Sequence, residues 1–390
     1  MRTTRYLIVG GGLTADAACK GIREVDPDGT ITVVADEAHA PYARPPLSKA
    51  LWKGQEESTI WRGTEQLGAE LRLGRRIVAL DVGRRRATDD RGEAYRYERL
   101  LIATGGRPRQ LPFGGDDVIY FRTLDDYRRL RALASSDTRF LVIGGGFIGS
   151  EIAAALAMNG RTVTMVFPED GIGARIFPAD LSAFVTDYYR ARNVEVLTGT
   201  SVTAIERQGN TVHVKTGDGR VLESDAVIAG LGISPRTELA EAAGLAVSDG
   251  IVVDEHGRVD GGDDVFAAGD VARFPVAALG GTMRVEHEDH AKSHGRRVGA
   301  NMAGADEPYD HLPFFYSDLF DLGYEAVGEL DSRMRTTADW SEVGEAGTVC
   351  YLDDAGRPRG VLLWNRFGHV ETARDLIRAA VPIPVAELVG

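Results

Sequence analysis

The sequence predicts an α/β protein that contains two similar Rossmann-like units. A glycine fingerprint occurs twice, and each copy lies between an apolar, strand-like run and a helix-like run. After each copy the same pattern follows: two further strand-like runs, and then an apolar strand that ends at glycines. The fingerprint positions are Gly10, Gly12 and Ala15 in the first copy and Gly144, Gly146 and Gly149 in the second.

Each fingerprint is typical of a βαβ unit that binds a dinucleotide. The first glycine makes the tight turn, the second lets the backbone approach the pyrophosphate, and the third position is small so that helix and strand pack closely. The pyrophosphate then lies at the helix N-terminus. Asp36 and Glu169 follow the second strand of their units, where an acid holds the adenosine ribose. Two such units predict two dinucleotides, and FAD with a nicotinamide nucleotide is the simplest pair.

The strands that close the two units end in residues that we expect near the ligands. The runs are 76–80, 93–97 and 100–106 after the first fingerprint, and 200–205, 211–215 and 226–232 after the second. A further apolar strand ends in a Gly-Asp pair, where the glycine lets the backbone approach a ligand and the carboxylate can accept from a hydroxyl. The positions concerned are Ala103, Thr104, Gly105, Gly232, Gly269 and Asp270.

Composition limits the remaining function classes. The chain has 390 residues and a formal net charge of −13, which disfavours nucleic acid as a partner. No apolar run approaches the roughly 20 residues of a membrane-spanning helix, and the short apolar stretch near the N-terminus is no signal peptide, so we expect a cytoplasmic protein. Local basic runs at 75–76, 84–86 and 128–131 are either solvated faces or docking sites.

The cysteine and histidine patterns predict neither a metal site nor a redox dithiol. Cys19 and Cys350 are far apart and form no CxxC or CxxxxC motif. His290 and His294 would share one face of a helix, but nothing else in the sequence supports a metal. We therefore expect electrons to leave the protein without passing through a cysteine pair.

Several motifs together resemble a known family. The ATGG segment at 103–106, the Gly-Asp pair at 269–270 and the two nested fingerprints resemble the pyridine-nucleotide flavoproteins that include glutathione reductase. The disulfide members carry their cysteine pair shortly after the first unit, whereas this chain has PYARPPLSK at 41–49. That string is similar to two branches: the ferredoxin and putidaredoxin reductases of oxygenase systems, and apoptosis-inducing factor. The segments at 166–169, 285–291, 315–319, 323–328 and 361–365 favour the second branch.

The resemblance implies a role for each motif near the flavin. FAD would bind at the first fingerprint and NAD(P) at the second, and Asp270 would bind the ribityl chain. Arg44 and Lys49 would lie at the flavin. Glu151 would form an ion pair with Lys49 beside the flavin N5 atom.

It also implies a nicotinamide side of the site. The segment 285–291 would belong to a helix that starts beneath the flavin pyrimidine, with Glu286 and His287 lining the nicotinamide site. Tyr316, which stands where this branch usually has Trp, would stack near the flavin or the nicotinamide. We expect NADH rather than NADPH, because Glu169 would repel a 2′-phosphate, although Arg175 could bind one.

The domain organisation implied by the resemblance has three parts. These are an FAD-binding domain at 1–113 and 246–305, an NAD-binding domain at 114–245, and an α+β C-terminal domain at 306–390. The partners would be a nicotinamide nucleotide and a ferredoxin-like protein or another electron acceptor, with neither nucleic acid nor a membrane involved. We expect a monomer or a homodimer, with an oligomeric state that could depend on redox state.

Three functions remain open from the sequence. The main hypothesis is an FAD-dependent NADH:acceptor oxidoreductase that needs no redox disulfide. A close alternative is the ferredoxin reductase of an oxygenase electron-transfer chain. An alternative from another class is a redox-sensing interaction protein, similar to apoptosis-inducing factor, that forms a long-lived complex of reduced FAD and NAD+.

Overall fold

The computed structural model describes residues 1–382 except 137, 261, 263 and 341. The α-helices of this part are α1 Leu13–Val25, α2 Leu124–Leu133, α3 Phe147–Met158, α4 Ala179–Arg190, α5 Glu238–Ala242, α6 Glu288–Met302 and α7 Val370–Ala379. The strands are β1 Arg2–Val9, β2 Ile31–Val34, β3 Ala69–Arg72, β4 Ile77–Asp81, β5 Arg86–Asp89, β6 Ala94–Ile102, β7 Gly106–Pro108, β8 Val118–Tyr120, β9 Arg139–Ile143, β10 Thr162–Val166, β11 Val194–Leu197, β12 Val202–Gln208, β13 Thr211–Thr216, β14 Val221–Ser224, β15 Ala226–Ala229, β16 Ile233–Pro235, β17 Ile251–Val252, β18 Val265–Ala267, β19 Ala272–Pro275, β20 Thr282–Arg284, β21 Phe314–Leu319, β22 Leu322–Gly328, β23 Arg335–Asp339, β24 Gly347–Leu352 and β25 Pro358–Trp364.

The chain divides into two compact units. Unit 1 contains Met1–Ala43, Ser58–Arg107 and Ser234–Pro313. Unit 2 contains Arg44–Glu57, Pro108–Ile233 and, among the described residues, 314–382. Each unit contains one of the two predicted fingerprints.

Unit 1 is built on a sheet with the order β3-β2-β1-β6-β5-β4, and β18 pairs with β6 outside this path. The β3-β2-β1-β6 part is parallel, as is the pairing of β18 with β6. The end of β1, from Tyr6 to Val9, is buried throughout, which is the near-continuous apolar pattern of a covered parallel strand. Helix α1 connects β1 to β2 and packs closely on α6, where a Cβ at Gly299 would collide with the backbone of Ala18.

The first meander differs from the sequence prediction in two respects. Residues 86–89, which lie between the predicted runs 76–80 and 93–97, form the additional strand β5. The predicted runs 93–97 and 100–106 contribute to one continuous strand, β6. Strand β6 continues through its polar residues because it pairs with β5 near Tyr95 and with β1 as far as Ile102. Partners on both sides satisfy the backbone groups, so polar side chains do not end the strand.

The first part of unit 2 repeats this plan with a parallel sheet of order β11-β10-β9-β15-β8. The antiparallel meander β12-β13-β14 forms a sheet of its own. Strand β14 was missed because it has only four residues, Val221–Ser224, which show no clear apolar pattern. The chain changes sheet at Asp225, whose carboxylate accepts hydrogen bonds from the backbone N–H and the guanidinium of Arg139.

The rest of unit 2 confirms the predicted α+β architecture of the C-terminal part. An antiparallel sheet of order β21-β22-β25-β24-β23 carries α7, which packs on β22 and β25. Trp364 at the end of β25 is fully buried and stacks on Tyr324 of β22 at 5.9 Å. Within the described ranges, no helix combines the length and apolarity that crossing a bilayer requires.

Candidate functional site

The first fingerprint leaves the N-terminus of α1 open. Gly10 adopts a left-handed backbone (φ +119°), and a Cβ there would collide with the carbonyl of Ala103 at the end of the neighbouring strand. Gly12 is the N-cap of α1, has no side-chain cap, and faces space in which a Cβ would meet no atom within 4 Å. Ala15 is fully buried. The uncapped amides and the free space in front of them fit a pyrophosphate.

The second fingerprint repeats this geometry in unit 2. Gly144 is left-handed (φ +108°), and its Cβ would collide with the carbonyl of Gly230. Gly146 caps α3 and faces open space. A Cβ at Gly149 would collide with the carbonyl of Gly144, so this position brings helix and turn into direct contact. The sequence did not single out Gly230, although its place after the apolar run 226–229 was a usable signal.

The two predicted ribose-binding acids are each paired with an arginine. Asp36 lies 2.6 Å from Nη1 of Arg236, and both residues belong to unit 1. Glu169 lies 2.6 Å from Nη2 of Arg175 in unit 2. The sequence singled out Arg175 but not Arg236. Each carboxylate is therefore in contact with an arginine. A ribose bound at the carboxylate would lie close to that arginine as well.

Arg236 also organises the glycine-rich segment that follows β6. Its carbonyl accepts from Thr104 Oγ1 at 2.8 Å, and its N–H donates to the carbonyl of Gly105 at 2.9 Å. Ala103 is held by its N–H, which donates to Val9 at the end of β1. In unit 2, the carbonyl of Gly232 accepts from the N–H of Arg109 at 3.0 Å. The segment 103–105 follows β6 and Gly232 follows β15, so both lie at the carboxyl ends of parallel strands, where ligands bind in open α/β sheets.

The second strand-end motif of unit 1 is the Gly-Asp pair. Gly269 follows β18, and a Cβ there would collide with the side chain of Thr14 in the first turn of α1. The carbonyl of the next residue, Asp270, accepts from Arg284 Nη1 at 3.2 Å. The motif therefore packs against the helix that carries the first fingerprint.

Lys49 and Glu151 form the predicted ion pair. Lys49 Nζ lies 2.7 Å from Glu151 Oε1, and the two side chains are 10% and 3% exposed. Two hydroxyls complete the surroundings of the carboxylate: Ser48 Oγ donates to Oε2 at 2.5 Å, and Ser317 Oγ donates to Oε1 at 2.6 Å. A buried carboxylate is favourable only when it is paired and hydrogen-bonded, and all these partners lie in unit 2. Neither serine was predicted as a site residue, although Ser48 lies in the string 41–49 and Ser317 in the segment 315–319.

The loop that carries Lys49 is rigid. Pro45–Leu47 forms a short 3-10 turn that begins after Arg44, and Trp52 Nε1 donates to the carbonyl of Leu47 at 2.8 Å. Arg44 Nη1 donates to the carbonyl of Arg122 at 3.0 Å. Three prolines in the string restrict the backbone further, so the lysine is held in place without a ligand.

An aromatic surface lies beside the ion pair. Lys49 Nζ sits 5.4 Å from the ring centroid of Tyr316, which is 39% exposed. The neighbouring Phe315 makes an edge contact at 5.2 Å with Phe147, a partly exposed residue that directly follows Gly146. Phe147 and Phe315 were missed as site residues. The second fingerprint, Lys49 and Tyr316 are thus connected through contacts within unit 2.

The segment before α6 carries the predicted Glu286 and His287. Glu286 lies 2.6 Å from Arg284, and His287 is the N-cap residue of α6. Burial of the imidazole lowers the pKa of His287 to about 4, although part of the residue remains accessible. His287 is therefore a neutral hydrogen-bonding group at pH 7.

Neither cysteine is suited to redox chemistry. Both are buried thiols, and burial raises the pKa to about 12 for Cys19 and to about 11 for Cys350. Thiols in this state are poor nucleophiles, because the thiolate is the reactive form. Among the described residues, no three His, Cys, Asp or Glu side chains are grouped as metal ligands.

The predicted basic runs are largely neutralised by neighbouring acids. Arg75 lies 2.8 Å from Asp89, and Arg84 lies 2.9 Å from Asp81. Arg128 is paired with Glu57. These contacts favour the interpretation of the runs as solvated faces over docking sites.

Comparison with known proteins gives two matching family models. The model described as pyridine nucleotide-disulphide oxidoreductase matches residues 4–295. The model of the apoptosis-inducing factor, mitochondrion-associated, C-term, matches residues 298–349. Together they account for the Rossmann-like units and for part of the C-terminal sheet.

Similar proteins match most of the chain. Mitochondrial apoptosis-inducing factor 1 of Dictyostelium discoideum is 32% identical over 96% of this chain and 78% of that protein. Peroxisomal monodehydroascorbate reductase 4 of Arabidopsis thaliana is 36% identical over 83% of this chain and 72% of that protein. The crystal structure of the covalent putidaredoxin reductase-putidaredoxin complex matches with a TM-score of 0.92 and 31% identity, covering 100% of this chain and 96% of that chain. The chain therefore belongs to the pyridine nucleotide-disulphide oxidoreductase family, as an oxidoreductase that uses FAD and NAD(P)H.

Proposed function

We propose that this protein is an NADH:acceptor oxidoreductase that passes electrons to an external one-electron carrier. The observation that carries the proposal is the pair of complete fingerprints, each with an open helix N-terminus, in a chain whose two cysteines are both buried. FAD would be held by the first fingerprint, Asp36 and Asp270, and NADH by the second fingerprint and Glu169. When bound, FAD accepts a hydride from the nicotinamide and releases electrons to the acceptor.

The residues of the chain contribute positioning and charge. Glu151 holds the ammonium of Lys49, and Ser48 and Ser317 hold Glu151, so a fixed positive charge stands beside the Tyr316 ring. A preorganised cation next to a redox centre stabilises added negative charge without reorganisation at the moment of reaction. In unit 2, we propose that Lys49, Glu151 and Tyr316 act on the bound cofactors. In unit 1, we propose a binding role for Glu286 and His287.

The proposed acceptor is a small ferredoxin-like protein. The likeness to the putidaredoxin reductase-putidaredoxin complex over nearly all of both chains supports this class of partner. Two relatives support other acceptors or roles. The monodehydroascorbate reductase supports a small organic radical, and the apoptosis-inducing factor supports a redox-sensing function.

The test is steady-state NADH oxidation by the FAD-loaded protein against a panel of acceptors. Cytochrome c reduction that becomes fast only when a ferredoxin is added supports the proposal. Fast turnover with monodehydroascorbate alone would replace the ferredoxin by an organic radical. Slow turnover with every acceptor, together with a change of molecular size on adding NADH, would favour the redox sensor and overturn the proposal. The three-domain boundaries, the oligomeric state and the cytoplasmic location stay predictions from the sequence.

A further inference from the structure

Helix α6 buries two histidines in unit 1. His290 and His294 lie one turn apart, are fully buried, and have ring centroids 4.8 Å apart. Phe274 of β19 stacks on His290 at 4.5 Å, and Tyr309 stacks on His294 at 4.5 Å. The four rings form one packed cluster that fixes both imidazoles.

The hydrogen bonds of the cluster determine the tautomer of His290. Ser293 Oγ donates its only proton to the carbonyl of Asp289 at 2.7 Å. Tyr309 must therefore donate to Ser293 Oγ, which lies 2.8 Å away. The remaining contact, 3.1 Å from His290 Nδ1 to the Tyr309 oxygen, then requires a proton on Nδ1. Burial lowers the pKa of His290 well below 6.5, so the ring is neutral and carries one proton.

His294 has the opposite tautomer. Its Nδ1 accepts from the backbone N–H of Gly269 at 3.4 Å. Burial lowers the pKa of His294 to about 3, so the ring is neutral and its proton is on Nε2. The Nε2 atoms of both rings have no hydrogen-bond partner among the described residues. Unsatisfied buried groups of this kind reduce stability, so packing alone does not explain a histidine at either position.

The backbone N–H of Gly269 donates to His294, and at this point the turn after β18, helix α1 and helix α6 are in close contact. A Cβ at Gly269 would collide with the side chain of Thr14, and a Cβ at Gly295 would lie 2.6 Å from the Thr14 carbonyl. The Gly269 turn is thus confined between the first turn of α1 and α6. At this point His294 adds a hydrogen bond, accepted from the Gly269 N–H, to the close packing.

We propose that His294 is a positioning residue for FAD: it fixes the Gly269 peptide, so that Asp270 presents its carboxylate to the ribityl chain. His290 and Tyr309 hold the His294 ring at the required angle. This inference rests on the proposed binding of FAD in unit 1. It assigns a function to the buried histidine pair that packing alone does not explain.

The test compares FAD dissociation constants, measured by flavin fluorescence during reconstitution of the apoprotein. His294→Leu removes the acceptor and should weaken FAD binding about fivefold to tenfold, the effect of one hydrogen bond. His294→Asn keeps an acceptor near the Nδ1 position and should bind within about twofold of wild type. Val298→Ala, a truncation one turn further along the buried face of α6, should lower thermal stability and leave FAD affinity unchanged.

The outcomes separate this inference from the proposed function. Wild-type affinity in His294→Leu, or an equal loss in Val298→Ala, would overturn the role of His294 while FAD binding itself stands. A wild-type protein that takes up no FAD would overturn the proposed function. If His294→Leu does not fold, nitrogen NMR of the FAD-loaded wild type with 15N-histidine decides: an Nδ1–H tautomer for His294 would exclude the contact with Gly269.

Discussion

Lys49 Nζ lies 2.7 Å from Oε1 of Glu151, a carboxylate that is only 3% exposed. The carboxylate also accepts from the hydroxyls of Ser48 and Ser317, so one buried negative charge joins the proline loop, α3 and β21. Removal of one member of a buried ion pair leaves the other charge uncompensated, which lowers the free energy of unfolding by about 3–5 kcal/mol. The pair is therefore a sensitive place to test the proposed site.

We expect Lys49→Ala and Glu151→Ala to slow anaerobic flavin reduction by NADH. A misplacement of about 1 Å can lower a rate on the order of a hundredfold, and either variant would shift the remaining partner. The double variant should be less impaired than the product of the two single effects, because the pair acts as a unit. Stopped-flow absorbance measures all three rates.

The exposed pair Lys53–Asp318 gives a matched control. Its atoms are 3.4 Å apart and its side chains are 43% and 39% exposed. Exposed ion pairs contribute at most about 1 kcal/mol to stability. NADH should therefore reduce the flavin of Lys53→Ala at the wild-type rate. Wild-type rates in both Lys49→Ala and Glu151→Ala would remove the pair from the proposed machinery.

The two serines that hold Glu151 should each contribute to stability. Ser48→Ala and Ser317→Ala both remove a hydrogen bond to a buried charge, an interaction of about 1.5–3 kcal/mol. We expect a lower free energy of unfolding in urea for each variant. Ser135→Ala, which loses only an exposed bond to Ala132, serves as the control. Equal stability of the three variants would mean that the serines do not support Glu151.

Substitutions in the second fingerprint should separate folding from binding. Gly149→Ala places a methyl group against the carbonyl of Gly144 and should destabilise the protein by about 1–3 kcal/mol. Gly146→Ala places its methyl group in open space and should leave thermal stability unchanged. Because that space fits the pyrophosphate, Gly146→Ala should instead raise the dissociation constant of NADH, measured by titration. An unchanged constant would contradict the proposed site.

Cofactor preference should depend on Glu169. A 2′-phosphate about 4 Å from this carboxylate is repelled by on the order of 4 kcal/mol per charge pair at an effective dielectric constant of about 20. Even a third of this gives about tenfold preference for NADH in kcat/KM. Glu169→Ser releases Arg175 from its ion pair and should shift the preference towards NADPH. The double variant Glu169→Ser/Arg175→Ala should lose part of that shift, and equal kcat/KM values in wild type would contradict the prediction.

Stability should fall on mild acidification because of the buried histidines. Burial lowers the pKa of His287 to about 4 and that of His294 to about 3, whereas an unfolded histidine titrates near 6.5. Between pH 6.5 and about 4 the unfolded chain thus binds more protons, so stability rises with pH. Each such histidine contributes a slope of up to about 1.4 kcal/mol per pH unit.

The measurement is urea unfolding between pH 4.5 and 7 with FAD in fixed excess. The slope of the free energy of unfolding against pH gives the number of protons taken up on unfolding, and His294→Asn should lower this number by about one. Substitution of the exposed His369 serves as the matched control. A stability that does not change across this range would show that the histidines are protonated in the folded protein.

Much of the fold could be predicted from the sequence, because its main signals are local. A Gly10-x-Gly12 turn between an apolar strand and a helix specifies its own backbone, and the second copy does the same. Motif resemblance added the α+β character of the C-terminal part and the pairing of Lys49 with Glu151. Strands β5 and β14 were missed, because each has only four residues and shows too little apolar pattern to be distinguished from a turn.

The sequence by itself determined the two dinucleotide-binding units, the family and the absence of a clustered dithiol motif. Only the tertiary structure decided which distant residues complete the site: Ser317 at Glu151, Arg236 at Asp36, and His294 at Gly269. A fingerprint is fixed by the conformations of neighbouring residues along the chain. A hydrogen bond between remote side chains depends on strand register and helix packing, which the whole fold determines and no local pattern contains.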